Sequence, residues 1–96
     1  MRVRLTRIAE FELTDAITWY EAQGVGLGTQ FLAEFRALTD RLSENPRQYE
    51  RVHKDTRRAT FHRFPYGLFF RIASRDVEVF ACFHFSRDPL EWQRRS

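Results

Sequence analysis

The sequence predicts an α+β fold in which a hairpin of two helices packs on a curved antiparallel sheet, in the order β-α-α-β-β-β. Three observations carry this. Apolar residues from Ala9 to Leu42 recur at three- and four-residue spacing, the period of a helix. From Ala59 to Phe85 they alternate, the period of a strand. No repeat, low-complexity tract or Ser/Gly-rich linker separates the two halves, so residues 1–96 read as a single domain. A domain of this length buries only about 60 to 65% of the surface its unfolded chain exposes. Ten Phe, three Tyr and two Trp then suggest a small core filled by a few large rings.

Val3 and Leu5 alternate with Arg2 and Arg4 in a short edge-strand pattern, and Thr6 stands where a helix N-cap is expected. Ala9, Leu13, Ala16, Ile17 and Tyr20 line one face of the first helix, with Glu12, Asp15 and Glu21 opposite, and the helix ends near Gly24. The run Gly24-Val25-Gly26-Leu27-Gly28 suits a helix-helix connection; it lacks the preceding strand that a phosphate-cradling loop requires. The second helix carries Phe31, Phe35, Leu38 and Leu42 inward and turns Glu34, Arg36, Arg41 and Glu44 to water, and Asn45-Pro46 stops it. Residues 47–58 are polar and basic with only Tyr49 and Val52 as apolar anchors, which predicts an exposed loop. Strand patterns follow over residues 59–64, 66–73 and 77–85, broken by Pro65 and by Ser74-Arg75-Asp76. Leu68, Phe70 and Ile72, with Val77, Val79, Ala81 and Phe83, form alternating sets that a covering helix hairpin would bury.

Sixteen Lys and Arg against thirteen Asp and Glu give a formal charge of +3, too small a surplus to define a nucleic-acid protein by itself. Its distribution says more. Acidic residues gather in the first half, whereas basic ones crowd from Arg47 to Arg75 and return at Arg87, Arg94 and Arg95, so one face is expected to be positive. The single cysteine, Cys82, excludes an intramolecular disulfide and a Cys-based zinc site, and fits a reducing compartment. The N-terminal residues lack the apolar core of a signal peptide, and no stretch approaches the roughly 20 apolar residues that span a bilayer, so a cytoplasmic protein without a membrane partner is expected. His53, His62 and His84 do not stand at metal-ligand spacing, so neither metal nor cofactor is expected.

What remains for chemistry is a cationic and aromatic set: Lys54, Arg57, Arg58, Arg63, His84, Arg87, Trp92, Arg94 and Arg95. Such side chains neutralise a phosphate backbone and stack on bases. His84 and Arg87, at the end of the last strand, could hold a scissile phosphate, the imidazole moving a proton while the guanidinium stabilises developing negative charge. His84, Arg87, Arg63 and Lys54 are therefore the catalytic candidates, and Arg57, Arg58, Trp92, Arg94 and Arg95 the target-binding ones. Each has a structural alternative: Arg63 pairing with a helix carboxylate, His84 bonding backbone at the strand end, Arg87 pairing with Asp88, Trp92 docking on the core. Glu12, Asp15 and Glu44 read as solvated helix-face carboxylates.

The stretch Arg63-Phe64-Pro65-Tyr66-Gly67, followed by the run from Ala81 through His84 and Arg87-Asp88-Pro89 to Trp92, resembles the closing signature of the RelE/ParE toxins. Ala9, Leu13, Tyr20, Phe31, Phe35, Leu42, Pro46 and Tyr49 also match the family's helix-hairpin positions, so the resemblance covers nearly the whole chain. It implies the toxin of a type II toxin-antitoxin system, whose acidic, amphipathic antitoxin segment wraps and neutralises it. Within the family stand two classes of target: messenger RNA cut on the ribosome, and DNA gyrase poisoned by binding. The nuclease branch commonly uses a C-terminal tyrosine. This chain has Phe85 after His84, and Trp92 is no acid or base, so the ParE-like, plasmid-stabilisation branch and a non-catalytic gyrase inhibitor are the favoured expectation. The alternative is a ribosome-dependent endoribonuclease.

Overall fold

The computed structural model describes residues 1–96. In chain order the elements are β1 (Arg2–Leu5), α1 (Arg7–Gln23), α2 (Leu27–Glu44), a 3₁₀ turn (Pro46–Gln48), β2 (Arg51–His53), β3 (Thr56–Thr60), β4 (Tyr66–Ala73), β5 (Asp76–His84) and α3 (Leu90–Gln93). The α+β architecture is the expected one: two helices packed on an antiparallel-dominated sheet. The sheet has five strands in the order β1-β5-β4-β3-β2, with β1 parallel to β5 and every other pair antiparallel.

Local chemistry explains the helix ends. Thr6 adopts an extended backbone and its Oγ1 accepts the Ala9 N–H at 3.2 Å, capping α1 as its position suggests. Between the helices Gly26 takes φ +90°, a conformation that an L side chain rarely adopts. The Glu21 carboxylate then accepts the N–H groups of Gly26 and Gly28, and so serves as a borrowed cap for α2, whose own N-cap glycine has no side chain.

Two expectations need correction. Residues 47–58 are not a loop: they hold the 3₁₀ turn, β2 and the start of β3, which begins at Thr56 and ends at Thr60 rather than spanning 59–64. Three-residue β2 has no period to read, and it exists because β3 offers it a ladder. Second, Ala81 and Phe83 do not join the helix-covered face. Phe69 pairs with Ala81 but Phe70 with Val79, so Phe80 is an extra residue and the alternation of β5 changes face there. The sheet is, moreover, buried on both sides.

One core lies under the helices, where Leu68, Phe70, Val77, Val79 and Cys82 meet Ala9, Ala16, Phe31, Leu38 and Leu42. A smaller one, formed by Phe69, Phe80, Ala81, Phe83 and Trp92, lies on the reverse face. The Trp92 ring stacks on Phe69 with centroids 4.2 Å apart, and the segment from Ser86 to the end thus forms a strap closing the second face.

Candidate functional site

β1 pairs with β5 only as far as Leu5 opposite Val79, so beyond that register β5 has no strand neighbour on this side. Helix α1 fills the gap. Ala9 and Ala16, both fully packed, let the helix approach the sheet closely, and Glu12 between them is carried into the interior with 9% exposure. Its carboxylate accepts the Cys82 N–H at 3.1 Å, the Arg95 guanidinium at 2.9 and 3.0 Å, and the Arg87 guanidinium at 3.2 Å. Arg87 also binds Glu91. A buried carboxylate is tolerable only when it is paired and hydrogen-bonded in this way. Glu12 is therefore not a solvated helix-face residue, as its polarity suggested, and Arg87 pairs with Glu12 and Glu91 rather than with Asp88.

The arrangement ties the strap to α1. Phe83 lies beneath both cations, with the Arg87 guanidinium 4.3 Å and that of Arg95 5.7 Å from its ring centroid. Burial alone would pull the Arg87 guanidinium down, but its bonds and proximity to Glu91 and Glu12 outweigh this and raise its pKa. Burial, with a smaller contribution from the Glu12 charge, pushes the Cys82 thiol up to about 12, so it is no nucleophile at neutral pH.

A cleft of about 500 Å³ opens beside this clasp, between α1 and the end of β5, and both His84 and Arg87 line it. The His84 ring meets the Tyr66 ring edge-on at 5.0 Å. His84 Nδ1 accepts the Ser86 backbone N–H at 3.0 Å and lies 2.7 Å from Ser86 Oγ. An N–H can only donate, so Nδ1 carries no proton and Nε2 holds the hydrogen. In this arrangement the imidazole has no free lone pair with which to act as a base. Tyr66 is no better placed to give or take a proton: burial above all, then neighbouring Tyr20, Cys82 and Asp15, pushes its hydroxyl up to about 12 against a smaller opposing pull from Arg87.

The other candidates are dispersed. Arg63 sits beyond β3 against α2, where Glu34 accepts its backbone N–H at 3.1 Å and its side chain shares a separate hollow with Arg41 and His62. Lys54 occupies the β2–β3 turn at φ 52°; pairing of Tyr66 with His84 and of Arg57 with Phe70 places that turn at the opposite end of the sheet from His84. Arg57 donates to the Tyr49 carbonyl at 2.5 Å and so fastens the preceding turn. Arg58 lies over the Phe85 ring at 5.7 Å, beside Arg87 and Trp92. Trp92 is 6% exposed and packed in the second core, so it is not presented to a target. Arg95 is spent on Glu12, and Arg94 is exposed. No group of three His, Cys, Asp or Glu side chains gathers to hold a metal, and no helix is long and apolar enough to cross a membrane.

Sequence reasoning missed Glu12, Asp15 and Tyr66. A signal for Glu12 exists: it stands three residues after Ala9 and four before Ala16, on the small-residue stripe of α1 rather than opposite it.

The helix hairpin packed on the five-stranded sheet is a fold shared with a chain of a solved structure. A chain of the solved structure described as "Chromosomal ParDE TA system from P. aeruginosa" superposes with a TM-score of 0.62 over 88% of this chain and 95% of that one, at 15% identity. The family described as "ParE toxin of type II toxin-antitoxin system, parDE" matches residues 3–89, and the chain belongs to that ParE toxin family. No curated protein matches it.

Proposed function

We propose that residues 1–96 form one toxin domain that arrests growth in the cytoplasm by binding DNA gyrase, and that a cognate antitoxin neutralises it. Family membership supports the toxin role, and the P. aeruginosa structure, described as a ParDE system, supports a proteinaceous antitoxin. The observation that favours binding over catalysis is the state of the His84 corner. The His84 lone pair is taken by Ser86, the Arg87 guanidinium is taken by Glu12 and Glu91, and Lys54 and Arg63 lie elsewhere. General acid-base cleavage of RNA needs a proton acceptor within reach of the attacking hydroxyl, and the His84 imidazole, the base that the sequence offers, has its lone pair occupied by Ser86.

The test is supercoiling by purified gyrase with the purified chain added. The expected outcome is inhibition or trapped cleaved DNA, relieved by premixing with the antitoxin. A folded chain that leaves gyrase untouched while messenger RNA is cut on ribosomes would overturn the gyrase reading in favour of the endoribonuclease.

A further inference from the structure

Helix α1 holds a row of large apolar side chains in solvent: Ile8, Phe11 and Trp19 are 52%, 72% and 56% exposed. Successive residues of a helix are about 100° apart, so these three and Asp15 fall on one side of α1, with Asp15 near the middle. That side borders the cleft beside the Glu12 clasp. The cleft continues into a second hollow of about 200 Å³ that reaches Trp19 and Tyr20, and the two share Asp15, Tyr66 and His84, so they form one groove. Exposed rings along a continuous hollow are what a partner-binding surface looks like before its partner arrives.

Of the charged side chains lining this groove, only one lacks an ion-pair partner. Arg87 pairs with Glu12 and with Glu91 outside the groove, Arg95 pairs with Glu12, and His84 Nδ1 is bound by Ser86. Asp15 forms no ion pair. The chain as a whole carries +3 and would attract acidic partners, but the one unpaired charge in the groove is the Asp15 carboxylate, flanked by aromatic rings. Carboxylate and ring faces together suit a guanidinium or ammonium.

We propose that this groove seats a partner segment that is apolar and carries a basic side chain, the cation resting on Asp15 between Phe11 and Trp19. The inference deepens the toxin reading and rests on it, because the segment it describes belongs to the partner that neutralises the chain. It also reverses the charge expected of that segment: where it crosses α1 it is basic, not acidic.

The test uses a random linear peptide library displayed on phage and selected against the full-length chain, followed by titration of the enriched peptides. Trp19 reports binding by a blue shift of its emission, because Trp92 is already buried. Wild-type protein is expected to enrich peptides with Arg or Lys among Leu, Phe or Trp. Asp15→Asn is expected to weaken such a peptide about fivefold, the upper range for a single exposed pair. Asp15→Arg should turn the selection towards Asp and Glu. Asp15 is exposed, and circular dichroism checks that both variants fold. Acidic peptides from the wild type, basic peptides indifferent to Asp15→Arg, or no enrichment at all would each overturn the proposal. Induction of the chain in growing bacteria reads the toxin role separately. Growth arrest with a negative selection removes the groove alone, and a positive selection without arrest removes the toxin role alone.

Discussion

Glu12 shows what one side chain can hold in place. Its carboxylate has left water almost entirely, and its four bonds reach Arg87 and Arg95, 75 and 83 residues away in sequence, and the Cys82 N–H, 70 away. Removing Glu12 leaves the buried Cys82 N–H and the half-buried Arg95 guanidinium without their acceptor, while Arg87 keeps Glu91. Glu12→Ala is expected to destabilise the chain by about 1 to 3 kcal/mol. Small domains hold only about 5 to 15 kcal/mol in all, so a sizeable unfolded fraction should show in urea titration followed by far-UV dichroism. Pairing Glu12→Ala with Arg95→Ala should give a coupling of about 1 to 3 kcal/mol. A loss under about 0.5 kcal/mol, the range of ordinary surface changes, would mean that Trp92 alone keeps the strap in place. The distances explain why this residue was not legible while its neighbours were. His84 and Arg87 stand out in a local run of sequence. The burial of Glu12 depends on a strand that ends early, which no local pattern reports.

At the scale of elements, whatever depends on neighbours in sequence was readable. Thr6, the stripe of α2, the stop at Asn45-Pro46 and the β4–β5 hairpin all follow from residues within a few positions of one another. Strand β2 and the bulge at Phe80 were not readable, because each is set by pairing across strands. The helix hairpin offers a sharp test of close packing. A Cβ on Gly28 would lie 2.8 Å from the Ile17 carbonyl oxygen, a backbone atom that cannot swing away, and 3.0 Å from the Glu21 side chain that caps α2. Glycine to alanine inside a helix ordinarily stabilises by up to about 1 kcal/mol. Here the sign should reverse: Gly28→Ala forces α1 and α2 apart and is expected to cost about 1 to 3 kcal/mol, the usual range for overpacking. A thermal melt distinguishes the two signs directly, and an unchanged or raised midpoint would show that the helices can separate without loss.

The molecule as a whole is a sheet buried on both faces, held by a helix hairpin on one side and a short strap on the other, and its ionisable groups bound the pH range over which it lasts. On the acid side, Glu78 is held below the ordinary carboxylate range because its bonds to Arg71 and Arg4 outweigh burial, and Glu21 because the Gly26 and Gly28 N–H groups bind it. A lowered carboxylate contributes stability that is complete above its unfolded value and lost as pH falls through the folded one. On the alkaline side, Cys82 and Tyr66 both keep their protons to about 12 in the folded chain, chiefly through burial. The unfolded thiol and phenol ionise near about 8.5 and 10, so the folded state binds more protons than the unfolded one across that interval and its stability falls as pH rises. The melting temperature should therefore be flat between about pH 5 and 8 and decline on either side, by this linkage of protons to folding. Cys82→Ala isolates the first part of the alkaline limb, since it removes the group that ionises earliest in the unfolded chain. In that variant the decline should begin nearer to about pH 10, where tyrosine titrates, and an alkaline limb identical to wild type would show that Cys82 is not what sets it.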